Sequence, residues 1–240
     1  MLVTTDGIVL HFIKYGGSSV IATIFTREYG RQSFIINAAR SKNSKNKAGI
    51  LQPLFLVNIV AYEKQSRDIQ RVKEIVSSRT YQNLPFNVVK FTQAVFIAEI
   101  LYKTINEQES YPEIYDFIQN SLLYFDLMEK GVSNFHLWFL FRLTEYLGFL
   151  PSIPFAGEGW FDLQKGTVVA SEPAHMLFMN RQATNVFMNL SVLKIHELSG
   201  FRIPHEMRSY LLEQIIKYYQ LHFENLREIK SFKVLKELFS

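Results

Sequence analysis

The chain has no cysteine. A disulfide framework, thiolate metal sites and cysteine nucleophiles are thereby excluded, and the composition suits a reducing interior. Glycine and proline are too sparse for a disordered tract, at 11 and 7 residues in 240. Charge interrupts every apolar run well short of the roughly 18 residues that a membrane-spanning helix needs. The opening stretch "MLVTTDGIVLHFIKY" has no basic residues ahead of its apolar part, so it is not read as a signal peptide. These absences point to a cytoplasmic protein with no membrane role.

Catalytic signatures are also missing. There is no "GxxxxGK", no "GxSxG" and no dinucleotide fingerprint. The six histidines, His11, His136, His175, His196, His205 and His222, include no i, i+4 pair of the metalloenzyme kind. His136 lies in the most apolar segment and reads as a core histidine. Gly157-Glu158-Gly159 precedes no helical pattern and reads as a turn. Asp6 and Glu28 are isolated carboxylates, unsuited to holding two metals for nuclease work. The expectation is a protein with no enzymatic activity, no cofactor and no metal.

One further absence is local. Asn37 to Leu54, "NAARSKNSKNKAGILQPL", carries Arg40, Lys42, Lys45 and Lys47 and no acid. The wider charge balance is skewed in the same way. Residues 1–80 hold 12 Lys/Arg against 5 Asp/Glu, a net +7, whereas residues 81–240 hold 14 against 17, a net −3. Segregated positive charge points to a polyanion, nucleic acid first.

The first third is rich in Val, Ile, Phe and Thr and reads as five short strands. They run approximately over Thr5–Tyr15, Ser18–Thr26, Arg31–Ala38, Pro53–Glu63 and Asp68–Ser77, with turn signals at Gly16-Gly17 and Tyr29-Gly30. Val20, Ala22 and Ile24 alternate with Ile21, Thr23 and Phe25, so both faces are apolar, as in a closed barrel packed against something else. Five strands in under 80 residues match the OB-fold count. From about Pro85 the apolar period changes to three or four. Ser110 and Glu113 have capping-box spacing around Pro112. "NFHLWFLFRLTEYLGFL" reads as a central buried helix, "WFDLQKGTVVAS" as a hairpin, and "HEMRSYLLEQIIKYYQLHFENL" as a long amphipathic helix followed by a short closing one. The fold expected is α+β in two domains. Residues 1–80 are expected to form a five-stranded OB-fold barrel as the nucleic-acid-binding domain. Residues 81–240 form a helical bundle, with 149–176 as an irregular hairpin insertion.

Single-stranded nucleic acid is held by cations that track phosphates and by flat side chains on which bases stack. The basic loop supplies the cations, Arg71 and Lys73 share a face of the fifth strand, and Arg31 follows the Tyr29-Gly30 turn. Tyr15 and Tyr29, each before a glycine, are the base-stacking candidates, with barrel-end packing as the alternative. Arg142, alone in its apolar helix, needs a partner such as Glu145 or an exit to the surface.

The ordered features "VLH", "FTREYGR", "ARSK" and a Gly ahead of "LQP" resemble the N-terminal region of the RecO family of bacterial recombination mediators. "LTEYLGFLP" and "HFENLREIKSFKVLKEL" extend the similarity to the second part. The resemblance implies binding of single- and double-stranded DNA and annealing of complementary strands on the nucleoid. It also implies that, with RecR, the protein helps load RecA onto DNA coated by single-strand-binding protein, whose acidic C-terminal tail it recognises. The family's basic positions fall on Arg40, Lys42 and Lys73, with Arg31 in the "GR" turn, and Arg142 is a candidate contact for the tail. Two departures stand out. Asn37-Ala38 replaces a common Lys-Gly, so one phosphate contact is either missing or supplied by Lys45 or Lys47. Residues 149–176 also lack the four cysteines of the zinc knuckle that many members carry, so the hairpin is expected to rest on Trp160 and Phe161. An RNA-binding OB-fold protein and a protein–protein adaptor with a structural barrel are the alternative functions.

Overall fold

The computed structural model describes residues 1–37, 49–64, 66–105, 110–153 and 159–238. The chain divides into two compact units, Met1–Asp126 and Leu127–Ser240.

In the first unit, β1 (Leu2–Tyr15), β2 (Ser19–Thr26), β3 (Gly30–Ile36), β4 (Leu56–Tyr62) and β5 (Ile69–Ser77) close a barrel in the order β1-β2-β3-β5-β4. All pairings are antiparallel except β3 with β5, which is parallel and completes the closure. Period-two alternation puts Val20, Ala22 and Ile24 of β2 inside, with Val9, Phe34, Ile36, Val57, Ile59 and Ile75. β1 serves two partners in succession, β4 with its first half and β2 with its second. Gly7 lies where they overlap. A Cβ there would meet Ile24 Cγ2 at 2.6 Å, so only glycine lets the strand come this close to the barrel interior.

The second apolar face of β2 is accounted for by the helices of the same unit. α1 (Val88–Thr104) starts at Asn87, whose side chain accepts from Lys90 N, and α2 (Pro112–Leu127) starts at Pro112. Phe25 is fully buried, with its ring 6.1 Å from that of Tyr115 in α2. Ser110 does not form the expected capping box. Its hydroxyl donates to the Arg27 carbonyl at 2.9 Å, tying the start of α2 to the β2–β3 turn. Asp126, buried near the end of α2, accepts from the amides of Gln82, Asn83 and Leu84 at 2.6–2.8 Å. It thereby fixes the segment that leaves the barrel. The barrel itself ends at Ser77, near the change of period in the sequence, but the compact unit continues through both helices.

The second unit contains α3 (Phe135–Tyr146), a small sheet of β6 (Trp160–Asp162), β7 (Thr167–Val169) and β8 (Phe178–Met179) in the order β7-β6-β8, then α4 (Arg181–Val192), α5 (His205–His222) and α6 (Lys230–Leu238). α3 is buried nearly all round, as its composition requires. Burial, with the nearby Arg208 guanidinium adding to it, lowers the His136 pKa to about 3, so the ring is neutral. The hairpin turns at Lys165-Gly166, as expected, with Phe161 fully buried beneath it. The Trp160 ring lies under the Arg181 guanidinium, 4.1 Å from its centroid. Among the described residues, no helix is long and apolar enough to cross a membrane.

Candidate nucleic-acid interface

The ends of β3, β4 and β5 converge on one rim of the barrel. Parallel pairing sets Ile35 beside Arg71, and antiparallel pairing sets Tyr62 beside Arg71 on the other side. Between them opens a groove of about 680 Å³, lined by Ile36, Asn37, Tyr62, Lys64, Arg67, Arg71, Val72 and Lys73. Ile36, which is buried, and Val72, which packs against the barrel core, add apolar side chains to a mainly polar lining. Its edge is cationic.

Two local devices place the cations. β5 pairs Glu74 with Val60 and Val72 with Ala61, so Lys73 is an extra residue in a bulge. Bulges of this kind re-aim a side chain out of the regular alternation. The β4–β5 turn is held from inside by the buried Gln70. Its side chain accepts from Lys64 N at 2.9 Å and donates to the carbonyls of Lys64 and Arg67 at 3.1 and 2.7 Å. The backbone groups of Lys64 and Arg67 are thereby tied to β5. All four cations are exposed, and none forms an ion pair with a described residue.

Of the residues singled out by sequence, Arg71 and Lys73 meet in this groove. Tyr15 belongs to the same rim. It is half-exposed and pairs with Ser19, whose hydroxyl donates to the Asn37 side chain at 3.3 Å. Arg40, Lys42, Lys45 and Lys47 lie outside the described residues, in the segment that follows Asn37. Tyr29 and Arg31 are at the opposite end of β2 and β3. There the Arg31 Nη1 donates to the carbonyls of Tyr102 and Ile105 at 2.7 and 2.8 Å, at the C-terminus of α1, where the helix dipole favours a cation. Its guanidinium also lies over the Tyr102 ring, 4.9 Å from the centroid. Lys64, Arg67 and Tyr62 were not singled out by sequence. The one signal for them was the run of cations beginning at Lys64, which spacing alone could not connect to Asn37.

In the second unit, Arg142 donates to the Leu193 carbonyl at 3.2 Å and approaches Glu145 at 4.0 Å. Trp138 Nε1 donates to that same carbonyl at 2.9 Å. Arg142 thus has the surface partner expected for a lone arginine and a second role at the C-terminus of α4. A zinc site of the knuckle type does not fit residues 149–176. The buried Asp162 carboxylate is taken up by the amides of Gln164 and Lys165, with Lys165 Nζ at 3.7 Å and His175 Nε2 at 3.3 Å. Among the described residues, no three His, Asp or Glu side chains gather as metal ligands would.

A closed five-stranded barrel followed by a helical part is the architecture of an OB-fold protein with a helical extension. The chain belongs to the RecO family of DNA repair proteins. Residues 1–81 match the family described as Recombination protein O N terminal, and residues 85–231 match Recombination protein O C terminal. The chain is 33% identical over 244 residues to the DNA repair protein RecO of Phocaeicola vulgatus. It is 33% identical over 242 residues to that of Bacteroides fragilis and 32% identical over 242 residues to that of Flavobacterium psychrophilum. Each comparison covers the whole of both chains. Membership supports a role in DNA repair and recombination.

Proposed function

We propose that this protein is a cytoplasmic, non-enzymatic recombination mediator. It binds single- and double-stranded DNA through the groove rim of its barrel and anneals complementary strands. With RecR it assists RecA onto strands coated by single-strand-binding protein, whose acidic tail the helical part recognises. The observation that carries this reading is the groove itself. Four exposed cations without ion-pair partners among the described residues line it together with Tyr62, on a barrel whose family members are DNA repair proteins. Arg71 and Lys73, joined by Arg40, Lys42, Lys45 and Lys47, supply the phosphate contacts. Such contacts position a strand without reading its sequence, as annealing any complementary pair requires.

The direct test is annealing of complementary strands with and without single-strand-binding protein, alongside competition between single-stranded DNA and RNA of equal length. Acceleration of annealing, retained on coated strands, is the expected result. Preference for RNA with no annealing would replace this reading. For the tail, a labelled acidic peptide titrated against wild type and Arg142→Ala should bind the variant more weakly. Equal affinity at equal thermal stability would leave Arg142 as a brace for the α4 terminus alone.

A further inference from the structure

We propose that the groove takes one unpaired base, stacked on Tyr62, so that the barrel holds single strands by stacking and charge but duplex by charge alone. This inference rests on the DNA-binding reading above and assigns a ligand subsite within it.

Phosphate binding explains the four cations but not the rest of the groove. Tyr62 is a large side chain left 46% exposed at the end of β4, opposite an equally exposed Leu2 on one side and Arg71 on the other. Ile36 and Val72 are the aliphatic residues of the same groove lining. A pure phosphate track has no use for an exposed aromatic ring. A base with its sugar does, and the volume of about 680 Å³ lies within the range of sites that enclose small organic groups. Lys64, Arg67, Arg71 and Lys73 then lie along the edge, where the phosphates on either side of the base would run. The Asn37 amide adds a polar group to the same wall. Gln70 holds the Lys64 and Arg67 backbone groups beside Tyr62 through three hydrogen bonds.

Strand selectivity follows from this arrangement. A duplex keeps its bases stacked on one another, and presenting one to Tyr62 would cost several kcal/mol of unstacking and unpairing. A single strand has unstacked bases to offer. Every base has a π-face, so the subsite is tolerant of sequence.

The test compares the full chain with Tyr62→Leu, which keeps an apolar residue opposite Leu2 but has no aromatic face. Affinities for a labelled single strand and for a hairpin duplex are measured at one salt concentration, after thermal melts show equal stability. Single-strand affinity should fall about 5- to 150-fold, the span found for removing one stacking partner. Duplex affinity should change less than twofold. Tyr62→Trp should restore single-strand binding. A strand carrying 2-aminopurine should be quenched by wild type and not by the leucine variant. Arg67→Ala, by contrast, should weaken both polymers and flatten both salt dependences. Equal losses on both polymers, or none on either, would overturn the stacking subsite while leaving DNA binding intact. A wild type that binds neither polymer would overturn the DNA-binding reading along with it.

Discussion

The two ends of the barrel both carry cations and use them differently. At the β2–β3 end, Arg27 forms paired 2.9 Å bonds to Asp116 of α2, and Arg31 closes the C-terminus of α1. The side-chain hydrogen bond from Arg27 holds the Asp116 carboxyl below its ordinary range. At the groove end, Lys64, Arg67, Arg71 and Lys73 face solvent, with no ion pair to a described residue. The net +7 of residues 1–80 therefore counts two kinds of charge together. What makes a cation available to a polyanion is what folds against it. Helices of the same unit cover the β2–β3 end of this barrel, whereas the four groove cations are exposed.

The sharpest way to break this contrast is the segment following Asn37. Replacing Arg40, Lys42, Lys45 and Lys47 together by Ala should make the log–log salt dependence of single-strand binding shallower by about 2.8, at about 0.7 per lost phosphate contact. The loss should be nearly the same for every sequence tested. An unchanged slope would remove the segment from the interface.

The next effect sets the two ends against each other directly. Arg71→Ala with Lys73→Ala should flatten the slope by about 1.4 and leave the melting temperature close to wild type. Arg31→Ala should do the opposite. It forfeits charge-assisted bonds to two helix-end carbonyls, a cost of about 2 kcal/mol in stability, with the salt slope unchanged. If Arg31→Ala flattened the slope at full stability, the division between the ends would fail.

A third test separates acid sensitivity of the fold from behaviour of the rim. Burial keeps His136 neutral in the folded chain down to about pH 3, whereas the unfolded chain protonates it near its ordinary 6.5. The unfolded state therefore binds the extra proton, and stability falls as pH drops from about 6.5 toward 3, by about 1.4 kcal/mol per unit. By pH 5 the loss is about 2 kcal/mol relative to neutral pH. His11 and His222, also lowered by burial, act in the same direction. Urea melts at pH 7 and pH 5 should show a smaller difference in His136→Gln than in wild type. Equal differences would assign the acid sensitivity elsewhere.

The smallest expected effect is none. Exhaustive chelation should leave the melting temperature unchanged and elemental analysis should find no stoichiometric zinc, because Asp162 already has its donors and the hairpin packs on Phe161. One tightly held zinc per chain would reopen His175 and Asp162 as ligands.

Alternation along the chain was enough to read the barrel, since Val20, Ala22 and Ile24 report their face without help from distant residues. The apolar second face of β2 even announced that something must cover it. That cover could not be named, because the contact of Phe25 with Tyr115 and the Arg27–Asp116 pair join residues about ninety positions apart. For the same reason the compact unit extends to Asp126, past the change of period near Pro85. α4 also went unread, for its polar Gln182, Asn185 and Asn189 dilute the helical signal that Asn180 begins.

By itself the sequence determined strand periodicity, the buried α3, the absence of thiol chemistry and the excess of positive charge. These are local or summed properties, carried by each residue wherever it stands. Only the tertiary structure decided which cations are occupied and which are exposed. The parallel β3–β5 pairing brings Asn37 to Lys73, and barrel closure brings Tyr62 to both, while α1 claims Arg31. A groove is a relation among strand ends, and no spacing along one strand encodes it.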